Sequence, residues 1–235
     1  MRPHKPLSRT LQPSLLLVMV WLSASTVARA QSPEAAEARD AFRPLSPSLA
    51  VNLGLIQPLA LGGANVQVDV RFGRFIAAYS HGWSLDIPVV GAAQRQGVRL
   101  EVPYTTGLGV GVQHYVDALN SYVDVRFEVK LHRFEASYES MDGRQQTRIA
   151  DYTTYTVGGG IYWTWLPFAT RGDALRGLNI STSARFWPNV ADTLPESSVS
   201  YTSTRTGQVE RHDAANIGIA NSPWIANVSV GYVFQ

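Results

Sequence analysis

The chain of 235 residues contains no cysteine. That excludes disulfides, thiolate metal sites and the acylation site of a lipoprotein. It also lacks an apolar run of the roughly 20 residues that a spanning helix needs. The longest, Leu15–Leu22, is far shorter. Lysine occurs only at Lys5 and Lys130. The formal net charge is +2, from 20 Lys and Arg against 18 Asp and Glu. Four of the basic residues, Arg2, Lys5, Arg9 and Arg29, fall within the first 30 positions, which carry no acid. The remainder is slightly acidic, so no nucleic-acid footprint is left. The HExxH, Walker-loop, GxSxG and calcium-loop patterns are absent, and no cofactor or metal is implied.

The N-terminus reads as a cleaved secretory signal peptide over residues 1–30. Arg2, Lys5 and Arg9 form its positive region, Leu15–Leu22 its apolar region and Ala28-Arg29-Ala30 a small-x-small cleavage site. Residues 31–47 form a periplasmic lead-in. There Ser32-Pro33, followed by a Glu/Ala-rich stretch, predicts a short capped helix. From residue 48 onward alternation dominates. Val123, Val125, Phe127, Val129 and Leu131 alternate with Asp124, Arg126, Glu128 and Lys130. Strand side chains point to opposite faces with period two, so one face is apolar and the other charged.

Residues 66–80 are echoed by residues 125–139, with Arg74-Phe75-x-Ala77-x-Tyr79 matching Arg133-Phe134-x-Ala136-x-Tyr138. In both copies the apolar positions change phase midway. A two-residue hairpin turn does this, and so does a β-bulge in a continuing strand. Gly73-Arg74 suits a type II′ turn, whereas His132-Arg133 is poor turn chemistry. Two hairpins give ten strands; two bulged strands give eight, with segments 65–83 and 121–141 each continuous and 198–205 a barrel strand. Eight is the favoured count.

Export, strand length and aromatics at segment ends favour a membrane barrel over a soluble lipocalin-like one, whose polarity is inverted. The last strand alternates Val228, Val230, Tyr232 and Phe234 outward, with Gln235 following. With that ending, residues 48–235 resemble the small bacterial outer-membrane β-barrels of the OmpA/OmpX/OmpW type. The resemblance implies an all-β, antiparallel transmembrane barrel in a Gram-negative outer membrane. It also implies periplasmic termini, contact with outer-membrane lipid and insertion by the barrel-assembly machinery through the C-terminal strand. No ligand follows from it.

Asp69, Arg71, Asp124, Arg126, Glu128, Lys130, Glu135, Glu139 and Arg185 are expected inside the barrel. They form either a filling salt-bridge network or the lining of a narrow, porin-like channel. The aromatic girdle is expected at Phe72, Phe75, Trp163, Trp165, Phe186, Trp187, Tyr232 and Phe234. The function is read as a structural or binding barrel with no catalytic residues. The alternatives are a lipid-modifying barrel enzyme and a soluble periplasmic binding barrel. His81-Gly82-Trp83-Ser84-Leu85-Asp86 carries nucleophile-type residues without the spacing of a known motif, and His212-Asp213 is equally generic. Binding residues often sit on loops, which here points to 88–99 and 206–223.

Overall fold

The computed structural model describes residues 45–87, 98–139, 146–203, 206–213 and 223–235. The expected signal peptide and N-terminal helix lie outside these residues, as does most of the 88–99 loop. Eleven strands are present among them: β1 (Ser48–Gly54), β2 (Ala64–Phe72), β3 (Phe75–Ile87), β4 (Val98–Val116), β5 (Ser121–Glu139), β6 (Gln146–Trp165), β7 (Leu178–Phe186), β8 (Asn189–Asp192), β9 (Ser198–Thr202), β10 (Val209–Asp213) and β11 (Trp224–Phe234).

Eight of them close an antiparallel barrel. The order runs β5-β4-β3-β2-β1-β11-β7-β6, and pairing of β6 with β5 completes the ring. Closure gives each of the eight strands a partner on both sides around the ring, the requirement for a sheet in lipid. The short β8 continues past β7 along β6, and β9 and β10 form a separate hairpin. Leu49 pairs with Phe234, so the first and last strands meet. Their outer ends share one rim with the connections 73–74, 117–120 and 166–177, here called the turn end. The opposite rim, the loop end, carries the other connections.

The two copies of the repeat fold differently. Residues 66–80 form a hairpin in which Phe72 pairs with Phe75. Gly73 has φ +57° and Arg74 no positive φ, as a type II′ turn requires. Residues 125–139 stay within the uninterrupted β5, with no extra residue. The bulges sit on its neighbours, on β4 between Glu101 and Tyr104 and on β6 opposite Ala136–Ser137. Eight strands are therefore reached by two departures from the sequence expectation. Segment 65–83 is two strands, and segment 198–205 lies outside the barrel.

The phase change in β5 reflects an inversion of polarity between the two faces. Even-numbered residues from Tyr122 to Tyr138 face inward throughout. Up to His132 they are mostly charged, and their outward neighbours Val123, Val125, Phe127 and Val129 are exposed. Beyond it, Phe134, Ala136 and Tyr138 are buried inside, while Arg133 and Glu135 form ion pairs outside. One barrel thus joins a polar-inside, apolar-outside half to an apolar-inside, polar-outside half. The latter is the polarity expected of a soluble barrel in water.

Candidate functional site

The charged interior is built largely from β5. Tyr122, Asp124, Arg126, Glu128, Lys130 and His132 stack along the axis in that order from the turn end. Side chains this long need small opposites. Arg126, Glu128 and Lys130 pair across β4 with Gly111, Gly109 and Gly107, and Arg126 and Glu128 pair across β6 with Gly160 and Gly158. A Cβ at Gly107 would stand 2.6 Å from the Lys130 Cγ, and one at Gly158 would strike the Phe186 carbonyl. Small barrels fill their interiors by this alternation of small and large residues. The glycine rows, visible in the sequence as Gly107-Leu108-Gly109-Val110-Gly111 and Gly158-Gly159-Gly160, are the signal that the alternation reading left unused.

Arg126 crosses the lumen. Its Nη1 and Nη2 donate to the Asp69 carboxylate on β2 at 2.8 and 3.1 Å. It also donates to Asp124 through Nε, and through Nη2 at 3.1 Å. Its guanidinium lies 3.9 Å from the Tyr162 ring centroid. Arg71 lies 3.5 Å from Asp69 and stacks over Tyr122. Toward the loop end, Glu128 accepts from Tyr162 Oη at 2.5 Å and from Trp187 Nε1 at 2.7 Å. Lys130 Nζ donates to Ser80 Oγ at 2.8 Å and sits over the Trp187 ring. Arg185 donates to Ser183 and packs against both Tyr162 and Trp187. His132 bridges Thr105 at 2.9 Å and Thr156 at 3.2 Å.

Asp69, Arg71, Asp124, Arg126, Glu128, Lys130 and Arg185 are thus gathered into one buried network. Glu135 is not part of it. It belongs to the outward row of β5, its side chain is 37% exposed, and it pairs with Arg148 at 3.3 Å. The reason is that β5 runs on without an extra residue, so its odd-numbered side chains stay on the outer face past His132. Of Glu139 the structure describes only its backbone pairing with Gln146.

The outer belt carries Phe72, Phe75, Trp163, Trp165 and Phe234 toward the turn end and Phe186 toward the loop end, all exposed. Tyr232 also lies near the turn end, donating to the Ala174 carbonyl. Trp187 departs from this set. Phe186 is 40% exposed and Trp187 only 6%, because successive strand residues face opposite ways. Tyr79, Trp83, Tyr104, Tyr155 and Trp224 join the outward aromatics.

Apolar clusters lie beyond the charged network toward both ends. At the turn end Leu166 and Ala169, from the β6–β7 connection, pack with Ala50, Tyr122 and Val233. Ala50 and Tyr122 come from opposite walls, so the cluster spans the bore. Toward the loop end Leu85, Leu100, Val102, Phe134, Tyr138 and Tyr152 pack with Val199 and Tyr201 of β9. Phe134 stacks on Tyr152 at 5.2 Å, and Tyr138 lies against Tyr201 at 5.1 Å.

His81 lies on the outer surface. It is paired with the Tyr79 hydroxyl at 3.3 Å, stacked on Tyr104 and tilted against Trp83. Ser84 has φ +54° where β3 changes its inward phase. Among the described residues no group of three His, Asp or Glu side chains could hold a metal ion.

No family model matches the chain, and no curated protein matches it. Among solved structures, the crystal structure of Neisserial surface protein A is similar at 10% identity, with a TM-score of 0.38. The match covers 80% of this chain and 94% of that one. So loose a likeness adds nothing to what the strand pairing establishes.

Proposed function

We propose that this chain is an outer-membrane β-barrel of the structural or binding type, with a filled lumen and no open pore. The supporting observation is the cross-lumen network of Asp69, Asp124 and Arg126, with an apolar cluster that spans the bore at the turn end and a second one toward the loop end. An ion path would have to break hydrogen-bonded buried charges, whose separation costs several kcal/mol. The exposed belt of Val, Leu and Phe between aromatic ends fits lipid, and in water it would be a large aggregating surface. In this reading the turn end faces the periplasm, the loop end faces outward, and the C-terminal strand addresses the assembly machinery.

Two measurements test the proposal. The refolded barrel should need detergent or lipid and migrate faster on a gel before boiling than after; a soluble aqueous monomer would remove the membrane assignment. In planar bilayers it should show no stepwise conductance, and Arg126→Met and Glu128→Gln should reduce stability. Steady conductance whose ion selectivity follows these substitutions would replace the filled barrel with a channel.

A further inference from the structure

Charge is matched unevenly along the lumen. Toward the turn end, Asp69 and Asp124 meet Arg71 and Arg126, two of each sign, with ion pairs between them. Toward the loop end, Glu128 is the one carboxylate beside two cations, Lys130 and Arg185, and it forms an ion pair with neither. It is held instead by neutral donors, Tyr162 Oη and Trp187 Nε1. The cations in turn lean on neutral acceptors. Lys130 Nζ donates to Ser80 Oγ and Arg185 Nε to Ser183 Oγ. Asp192 on β8 does not make up the difference. It pairs with Thr154, six residues along β6 from Gly160, which pairs with Arg185. That is about 20 Å at the usual strand rise. Its Oδ1 accepts from the Leu194 amide, and Lys130 reaches the other way, over Gly107 to β3.

The two cations meet at one ring. Lys130 Nζ lies 4.0 Å and Arg185 Cζ 4.9 Å from the Trp187 centroid, which gathers two like charges in a buried place. Both have donors to spare. The ammonium has three protons and one protein acceptor, and the Arg185 Nη groups bond nothing among the described residues. Arg71 also has a free Nε and Nη1, but these are sealed from any water-sized space, and the Arg185 Nη groups are not. A surplus buried charge without a counter-charge is costly.

We infer that the lumen binds one monatomic anion, chloride, between Lys130 Nζ and the Arg185 Nη groups. The Ser80 hydroxyl, which accepts from Lys130, keeps its own proton to donate beside the ammonium. A single negative charge balances the surplus of one, whereas a phosphate dianion would overshoot it. The compact ammonium of Lys130, the one lysine among the described residues, suits a spherical ion better than a planar fork does. The site goes beyond the filled-barrel reading and shares with it only the buried network.

The test is urea unfolding of the full barrel in neutral-lipid vesicles at fixed sodium, with gluconate replaced stepwise by chloride. One ion bound only by the folded chain raises the folding constant, up to about tenfold for each tenfold rise in chloride once the site is mostly filled. The wild type should show this response. Lys130→Met and Arg185→Met each remove the surplus charge and should abolish it, and Arg133→Gln, on the outer face, should keep it. Gel migration before and after boiling checks that each variant is folded, and a chloride response can be read in a variant of any stability. In wild-type crystals grown from bromide, the anomalous signal should fall between Lys130 and Arg185. A wild type indifferent to chloride overturns the site and leaves the filled barrel standing, with Lys130 then a neutral amine. A response that survives both methionine variants overturns it too, as does a lumen without bromide.

Discussion

The segments Arg74–Tyr79 and Arg133–Tyr138 share Arg-Phe-x-Ala-x-Tyr and occupy opposite environments. In the first, Phe75 is 58% exposed on the outer belt; in the second, Phe134 is 3% exposed in the core beyond the membrane half. Gly73 makes the difference. A turn there reverses the chain and returns the apolar row to the same outer face. Without one, β5 runs straight on, and the apolar row changes sides because the surroundings have changed. The same residues therefore lie on the outer face in one place and in the protein core in the other, and only the backbone between them decides which.

The largest expected effect comes from the membrane half. Arg126→Met leaves Asp69 and Asp124 buried without their main partner and should cost about 3–5 kcal/mol, read as a lower urea midpoint in detergent or vesicles. Phe134→Ala should cost about 3–5 kcal/mol through cavity formation. The matched Phe75→Ala should cost under about 1.5 kcal/mol, because that ring is exposed on the outer belt and loses little beyond its stacking on Phe72. Equal losses at the two phenylalanines would break the comparison. Val125→Arg, placed in the outer belt, should cost about 2–4 kcal/mol in a bilayer. The same residue at Ser137, beyond His132, should change stability by less than about 0.5 kcal/mol. Gly73→Ala puts a side chain at φ +57° and should destabilise the hairpin by about 1 kcal/mol.

The smallest effect belongs to Asp173 in the β6–β7 connection. A hydrogen bond from Arg171, supported by one from the Leu175 amide, holds its carboxyl below the usual carboxylate range. A depressed folded value contributes stability above the ordinary carboxylate range and loses it as pH falls through the depressed value. Carboxyl titration by NMR should show the downward shift, and Arg171→Ala should move it back up.

Much of the membrane half is legible in the sequence, because Val123–Leu131 alternates without a break and its charged row can face only inward if its apolar row faces lipid. The continuation is not legible in the same way. At His132-Arg133 the pattern reports which residues are apolar but not where water begins, so a change of medium looks like a bulge. Trp187 was hidden by its neighbour, since Phe186 and Trp187 together read as girdle until the alternation of β7 separates them. Glu135 follows the same logic from the other side. The charged network could be named residue by residue from alternation, but its partners could not. Tyr162, Ser80 and Trp187 reach it from three other strands or their continuations, and their spacing in sequence carries no trace of that meeting.

The reversal at His132 also sets how deep the molecule can sit. Below it, the outward row from Val123 to Leu131 rises about 27 Å along the strand at the usual spacing, or about 20 Å along the membrane normal at a typical barrel tilt. Above it, the ion pairs of Arg133, Glu135, Arg148 and Asp151 resist entry into hydrocarbon. The barrel therefore carries its own depth gauge. A bilayer thicker than the belt must thin around it, at a cost of a fraction of a kcal/mol per ångström, and the chain is best matched to a thin membrane.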